Sequence, residues 1–420
     1  MRLKEVSIHN FRGIDTCQLQ FHDSVNLIVG KNGAGKTSIL ESIAVGLGGF
    51  ISGLDGVSTR NFTQDEIRTQ YNKIGDGSYN PKFFVPIEIS CKAEFNGKVY
   101  DWKRVREAYK SSRTSLQPRG IAGTVNKYAS TDGSILPLIS YQSAARTWMQ
   151  KRDFKSQNTS AKSSRVSGYS DCLSTVSSRK QILAWCEKME KVSWQKKKPV
   201  GEYEGAKAAV AKFMTLLEGN HPCSLYYEIQ TEELLYIKDE TAETVSSLSA
   251  GYQSLIWMVF DIAYRMALLN PELREHISDA PGIVLIDEPD IHLHPEWQWL
   301  LVEALQQVFP NVQLIIASHS PIILASVKNG SIIDVSDINN IFYREPAYGL
   351  DINDTLRQIQ ESTNVPSEVG TLLKQFYGAL DREDMDSAKQ IVAKVESLIG
   401  NRPIAIEVRT TYELESALGD

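Results

Sequence analysis

Three glycines, a lysine and a hydroxyl are set close together in Gly30-Lys31-Asn32-Gly33-Ala34-Gly35-Lys36-Thr37, directly after the apolar run Val25-Asn26-Leu27-Ile28-Val29. Glycines there let backbone N–H groups turn inward around a polyphosphate without a Cβ in the way. A lysine at that spacing reaches the terminal phosphates, and the hydroxyl after it ligates Mg²⁺. Ser38-Ile39-Leu40-Glu41-Ser42-Ile43-Ala44 then reads as a helix whose N-terminus faces the anion. Asn32, Gly33, Gly35, Lys36, Thr37 and Ser38 are therefore the candidate nucleotide contacts.

Two more apolar runs end in polar chemistry. Residues 283–286 lead into Asp287-Glu288-Pro289-Asp290, and residues 312–317 lead into Ser318-His319-Ser320-Pro321. Taken singly, an acidic pair after a strand is an ordinary solvated strand end. In a parallel α/β sheet, however, ligands sit at the carboxyl ends of strands, so the three ends can converge on one nucleotide. Asp287 is then placed to hold Mg²⁺, Glu288 to orient or deprotonate an attacking water, and His319 to hydrogen-bond the γ-phosphate or that water. His292 and His294 stand two apart beside Asp290 but lack a third metal ligand at a recognisable spacing.

These strand ends need elements to carry them. Leu248-Ser249-Ala250-Gly251-Tyr252-Gln253-Ser254 opens a helix with apolar positions at helical spacing through Met266, stopping at Asn270-Pro271. Ser249 and the amides near Gly251 form an anion-binding helix start. Residues 85–106 read as a hairpin around Asn96-Gly97, and residues 136–141 as a buried strand. The expected organisation is a first part of the nucleotide-binding core (1–142), a helical and basic insertion lobe (143–245), the helix from Leu248 with the second part of the core (246–345), and a helical region (346–420).

Composition narrows the class. A net charge of −6, 42% hydrophobic and 23% charged residues are those of a globular chain. Residues 143–200 carry thirteen Lys or Arg against four Asp or Glu. That excess suits either a basic arm against a phosphate backbone or a solvated insertion. Trp148, Trp185 and Trp194 suit either base stacking or a small helical core. The five cysteines are never closer than fourteen positions, so there is no CxxC pair, and no apolar run approaches membrane-spanning length. A cytoplasmic protein is expected.

Gly30 to Thr37, Leu248 to Ser254, Val284 to Pro289 and Ser318 to Pro321 resemble the Walker A, signature, Walker B and switch-histidine motifs of ABC-type ATPases. Asn10-Phe11-Arg12-Gly13-Ile14 and the extension Asp290-Ile291-His292-Leu293-His294-Pro295 narrow the resemblance. They point to the overcoming-lysogenization-defect branch of AAA-family ATPases and, in overall layout, to the PtuA-type ATPases of Septu and retron anti-phage systems. The resemblance implies an α/β P-loop NTPase with an ABC-ATPase-like head, built on a mixed sheet with core parallel strands, and followed by a C-terminal helical tail. It implies ATP and Mg²⁺ as ligands, and a head-to-head dimer or higher even-numbered oligomer. ATP would lie between Walker A of one copy and Ser249, Gly251 and Gln253 of the other, with Arg12 near its own subunit's nucleotide. A separate HNH nuclease is the implied partner, with nucleic acid or a retron ribonucleoprotein as a further one, and no nuclease activity of the chain itself. Ala250 and Tyr252 depart from the LSGGQ pattern. The family's loop glutamine has no motif here, and Gln142, directly after a strand, is the candidate. A RecF- or SMC-like DNA-repair ATPase shares the N-terminal motifs, but the long coiled coil and CxxC hook of SMC-type proteins are absent from the sequence.

Overall fold

The computed structural model describes residues 1–74, 77–143, 165–174, 179–350, 355, 367–382 and 384–418. In chain order the strands are β1 (Arg2–Phe11), β2 (Ile14–Gln20), β3 (Val25–Val29), β4 (Thr69–Lys73), β5 (Tyr79–Phe83), β6 (Ile87–Phe95), β7 (Lys98–Arg106), β8 (Ser115–Gln117) and β9 (Leu138–Gln142). They continue with β10 (Cys223–Glu228), β11 (Glu233–Lys238), β12 (Thr241–Thr244), β13 (Gly282–Asp287), β14 (Val312–Ala317), β15 (Ser331–Asp334) and β16 (Phe342–Arg344). The helices are α1 (Lys36–Ile51), α2 (Gly120–Ala129), α3 (Arg179–Lys196), α4 (Gly201–Leu217), α5 (Ala250–Leu269), α6 (Pro295–Val308), α7 (Pro321–Ser326), α8 (Ser367–Leu380), α9 (Met385–Ile399) and α10 (Pro403–Leu418).

The central sheet runs β16-β15-β3-β14-β13-β9, parallel throughout except for the antiparallel edge strand β16. Every residue of β3, β9, β13 and β14 is buried, which is why these strands read as continuous apolar runs rather than alternating ones. A second sheet, β2-β1-β6-β7-β8, is wholly antiparallel. Gln313 of β14 joins the sheets: its amide donates to the Leu3 carbonyl at 2.8 Å and its oxygen accepts from the Leu3 N–H at 2.7 Å.

Helix α1 packs between the two sheets and is buried along nearly its whole length. Its run Gly46-Leu47-Gly48-Gly49 looks helix-breaking in sequence. A Cβ at Gly46 would lie 2.4 Å from Cys91 Sγ, and one at Gly49 2.6 Å from Trp102 Cδ1. The glycines are there because the second sheet comes too close for anything larger.

The described part of 143–245 is not purely helical. After α3 and α4 it forms the antiparallel sheet β10-β11-β12, in which Leu225, Tyr227, Leu234 and Tyr236 are buried at period two. Nor does it stand apart from the core, since α4 packs on α5 and α6. The chain divides once, into compact units 1–350 and 351–420. Within the basic stretch, residues 144–164, with Trp148, and 175–178 lie outside the described residues. Trp185 is a core residue, packed edge-on against Tyr203 and Tyr264, whereas Trp194 is 83% exposed. In the second unit α8, α9 and α10 close on a core of Phe376, Ile391, Val392, Val395 and Val408. Asp384 caps α9 by accepting from the Ser387 N–H at 3.0 Å.

Candidate functional site

Strand β3 ends where the glycine loop begins. Gly33 and Gly35 adopt left-handed backbone, φ +82 and +95, and a Cβ at either would meet nothing within 4 Å. Their need for glycine is therefore conformational, and the loop bounds open space. Lys36 opens α1 and is buried, its Nζ donating to the Gly30 carbonyl at 3.0 Å and the Lys31 carbonyl at 3.4 Å. Thr37 Oγ1 donates to Asp287 Oδ1 at 3.3 Å, linking the helix start to the end of β13. Ser38 lies in the same first turn and Asn32 is exposed on the loop.

Parallel pairing puts Asp287 of β13 beside Ala317 of β14, and β14 beside β3. His319 follows β14 and accepts a hydrogen bond from Lys36 Nζ through Nε2. The same Nε2 lies 3.8 Å from Glu288 Oε1. Glu288 has left-handed backbone, φ 48, and its N–H donates to the Ala317 carbonyl at 2.9 Å. Asp290 accepts from Ser318 Oγ at 2.7 Å, so the turns after β13 and β14 are tied to each other.

Electrostatics follow from this crowding. Burial, with Glu288 and Glu41 nearby, pushes the Asp287 carboxyl up to about 6, although the Thr37 hydrogen bond and Lys36 act the other way. Burial likewise lowers Lys36 against the pull of Glu288, Asp287 and Asp290. His319 is lowered, first by burial and then by Lys36, which leaves it a neutral acceptor at pH 7. A buried carboxylate beside a hydroxyl, with two more carboxylates close by, is a donor set short of positive charge. It fits Mg²⁺ held by Thr37 and Asp287 with the remaining positions left to phosphate oxygens and water. Among the described residues no group of three or more His, Cys, Asp or Glu forms an all-protein metal cage.

Arg12 sits in the β1–β2 turn with φ 49 and pairs with Glu41, on the second turn of α1. Arg60 lies 3.7 Å from Glu41 and 2.9 Å from Glu66. With Asn61, Asp65 and Asp171 these groups line a polar cavity of about 420 Å³ beside the helix. Arg60 and Glu66 belong to no motif, and only the folded arrangement reveals them.

Ser249 is the exposed N-cap of α5, and its side chain makes no capping hydrogen bond. Gly251 is buried where a Cβ would lie 2.6 Å from the carbonyl oxygen of His292, so the start of α5 rests on the backbone that follows β13. Gln253 Nε2 donates to the Ser246 and Leu248 carbonyls at 3.0 and 2.8 Å, holding the loop before the helix. Tyr252 is wedged against Trp297 and Tyr236 and bonds Glu218, facing its own subunit. Gln142 is buried and donates to Asp261 Oδ2 at 2.8 Å. His294 caps α6, its Nδ1 accepting from the Glu296 N–H at 3.4 Å.

Residues 5–212 match the AAA domain family and residues 125–324 the AAA ATPase domain family. The chain is 25% identical over 454 residues to the Retron Vc95 probable ATPase of Vibrio cholerae, covering 93% of this chain and 86% of that one. It is 22% identical over 415 residues to the Septu protein PtuA of Bacillus thuringiensis, covering 94% of each. A shorter match, 38% identical over 100 residues, reaches the Retron Ec83 probable ATPase of Escherichia coli and spans 24% of this chain and 18% of that one. These matches place AAA-family ATPase domains in the chain, which is similar along most of its length to the retron and Septu ATPases.

Proposed function

We propose that this chain is the ATP-hydrolysing subunit of a bacterial anti-phage defence complex, in which two copies close head to head on ATP and so control a separate HNH-type nuclease. The observation that carries the catalytic half is the convergence of Lys36, Thr37, Asp287, Glu288 and His319 at the ends of three neighbouring strands. The defence half is supported by the relatives named for retron and Septu systems, which align along almost the whole chain.

In this reading Lys36 leaves the loop carbonyls for the β- and γ-phosphates, which the inward N–H groups of 32–38 also hold. Thr37 and Asp287 would hold Mg²⁺, which supplies charge neutralisation of the phosphates when bound. Glu288 takes the proton of the attacking water. His319, neutral at pH 7, is released by Lys36 to hydrogen-bond the γ-phosphate or that water. Arg12, fixed by Glu41, would lie near the nucleotide of its own subunit. Ser249 and the amides around Gly251 complete the partner's site, because an uncapped start of a long helix favours an added anion. The described residues contain no helix long and apolar enough to cross a membrane, in keeping with a complex that works in the cytoplasm.

Native mass spectrometry with Mg-ATP tests both halves. Glu288→Gln is expected to retain ATP, to accumulate an even-numbered assembly, and to lose turnover by about a hundredfold or more. Lys36→Ala is expected to carry no nucleotide and stay unassembled. Full ATPase activity in Glu288→Gln overturns the assignment of the base. Purification from the native operon without any nuclease subunit overturns the gated-effector reading.

A further inference from the structure

Strand β9 lies beside β13 at the edge of the central sheet, in parallel register, with Tyr141 opposite Leu285 and Gln142 opposite Ile286. Residues in register share a face of a parallel pair, and the face repeats at every second residue. Tyr141, Leu285 and Asp287 therefore stand on one face, and Gln142 and Ile286 on the other. The first face is the one α1 covers, because Thr37 of that helix reaches Asp287. The second is covered by α5, where Asp261 Oδ2 accepts from Gln142 Nε2 at 2.8 Å and from Arg265 Nε at 3.0 Å. The candidate loop glutamine is thus turned away from Thr37 and Asp287. The side chain that β9 sends to their face is Tyr141.

Tyr141 is fully buried, with Arg60 Cζ 5.9 Å from the centre of its ring. Arg60 in turn lies against Glu41, one turn after Thr37 on α1. Burial, then the charges of Asp287 and Glu41, raise the phenol above its ordinary value, against Arg60 and the nearby Ser143 hydroxyl. The group keeps its proton and is a donor. Its buried oxygen nevertheless completes no hydrogen bond among the described residues. A buried polar group without a partner costs free energy, and most such groups in folded proteins are satisfied, so this one calls for an acceptor. The acceptor its face offers is the carboxylate of Asp287, and carboxylates that hold a metal ion are themselves held by hydrogen bonds.

We propose that Tyr141 is a positioning residue of the Mg²⁺ site, its hydroxyl donating to the Asp287 carboxylate, directly or through one water, when Asp287 holds the ion. The inference rests on the Mg-ATP site proposed above and adds a residue that belongs to none of its motifs. In this arrangement β9 serves both faces of the sheet: Tyr141 steadies the metal ligand, and Gln142 ties the strand end to α5.

The test is calorimetric binding of a non-hydrolysable ATP analogue to the full chain, once in Mg²⁺ and once in EDTA. The ratio of the two dissociation constants reads the Mg²⁺ site, since the contacts of the glycine loop to phosphate are common to both. Tyr141→Phe is expected to keep the EDTA value and to lose about tenfold of the gain that Mg²⁺ brings. Ser143→Ala is expected to keep the full gain. Because no hydrogen bond leaves with the hydroxyl, the nucleotide-free Tyr141→Phe protein is expected to melt no lower than wild type. A full Mg²⁺ gain in Tyr141→Phe, or a fall in its nucleotide-free melting temperature, overturns the proposal. So does an equal loss in Ser143→Ala, since the phenol would then merely serve that serine. A wild-type chain without any Mg²⁺ gain overturns the Mg-ATP site itself and this inference with it, whereas an intact wild-type gain that Tyr141→Phe retains overturns this inference alone.

Discussion

Asp287 is buried next to Glu288 and Glu41, and its carboxyl is raised from 3.8 to about 6 chiefly by that burial. A group whose pKa is raised on folding binds its proton more tightly in the folded state. Its stabilising contribution is full below about pH 4 and is lost as pH rises through about 6. Without nucleotide at pH 8, the folded protein thus carries a carboxylate that Thr37 and Lys36 only partly compensate, at a cost on the order of 1–3 kcal/mol. Asp287→Asn is expected to raise the melting temperature of the nucleotide-free protein at pH 8 by a few degrees, with the gain shrinking toward pH 5. Equal melting changes at both pH values would show that ionisation is not the cause. Much of this site was legible in the sequence, because the glycine spacing, the lysine and the strand-terminal acids each follow from local chemistry. What spacing could not convey was how residues are used. Gly251 is glycine because the His292 carbonyl presses on it, and Gln253 bonds its own loop. Arg60, held by Glu66, meets Glu41 only through tertiary packing.

Helix α1 shows the same principle at the scale of an element. Its glycines lower helix propensity by roughly 1 kcal/mol each, a cost repaid by letting β6 and β7 close on the helix. Trp102 records the contact, its Nε1 donating to the Gly46 carbonyl at 2.8 Å. Gly49→Ala is therefore expected to destabilise by about 1–3 kcal/mol through overpacking against Trp102. Gly123 on α2 is exposed with nothing within 4 Å of a would-be Cβ, so Gly123→Ala should stabilise by roughly 0.5–1 kcal/mol. Opposite signs in thermal or denaturant unfolding check the argument, and matching signs refute it. The buried parallel strands were readable as apolar runs, and the β6–β7 hairpin from Asn96-Gly97. The β4–β5 ribbon was not, because its short strands carry no apolar face, nor was the β10–β12 sheet, where Tyr226 beside Tyr227 and Leu234 beside Leu235 blur the period in sequence.

At the scale of the whole molecule, the 351–420 unit has its own apolar core, and the 1–350 unit keeps both sheets and all the residues gathered at the strand ends. Removing 351–420 should thus leave the nucleotide machinery folded. The three helices keep Leu398, Ile406 and Leu414 exposed by 43%, 41% and 60%. On the function proposed above, the 351–420 unit is expected to take part in that assembly. A chain ending at residue 350 is expected to melt cooperatively and bind Mg-ATP with affinity close to that of the full chain. It should fail to retain the partner or to form the larger even-numbered assembly in native mass spectrometry. If truncation leaves assembly, partner retention and turnover all unchanged, the helices have no docking role. If ATP binding is lost along with assembly, the truncated unit depends on 351–420 for its own integrity, and the separation of core and docking functions is wrong.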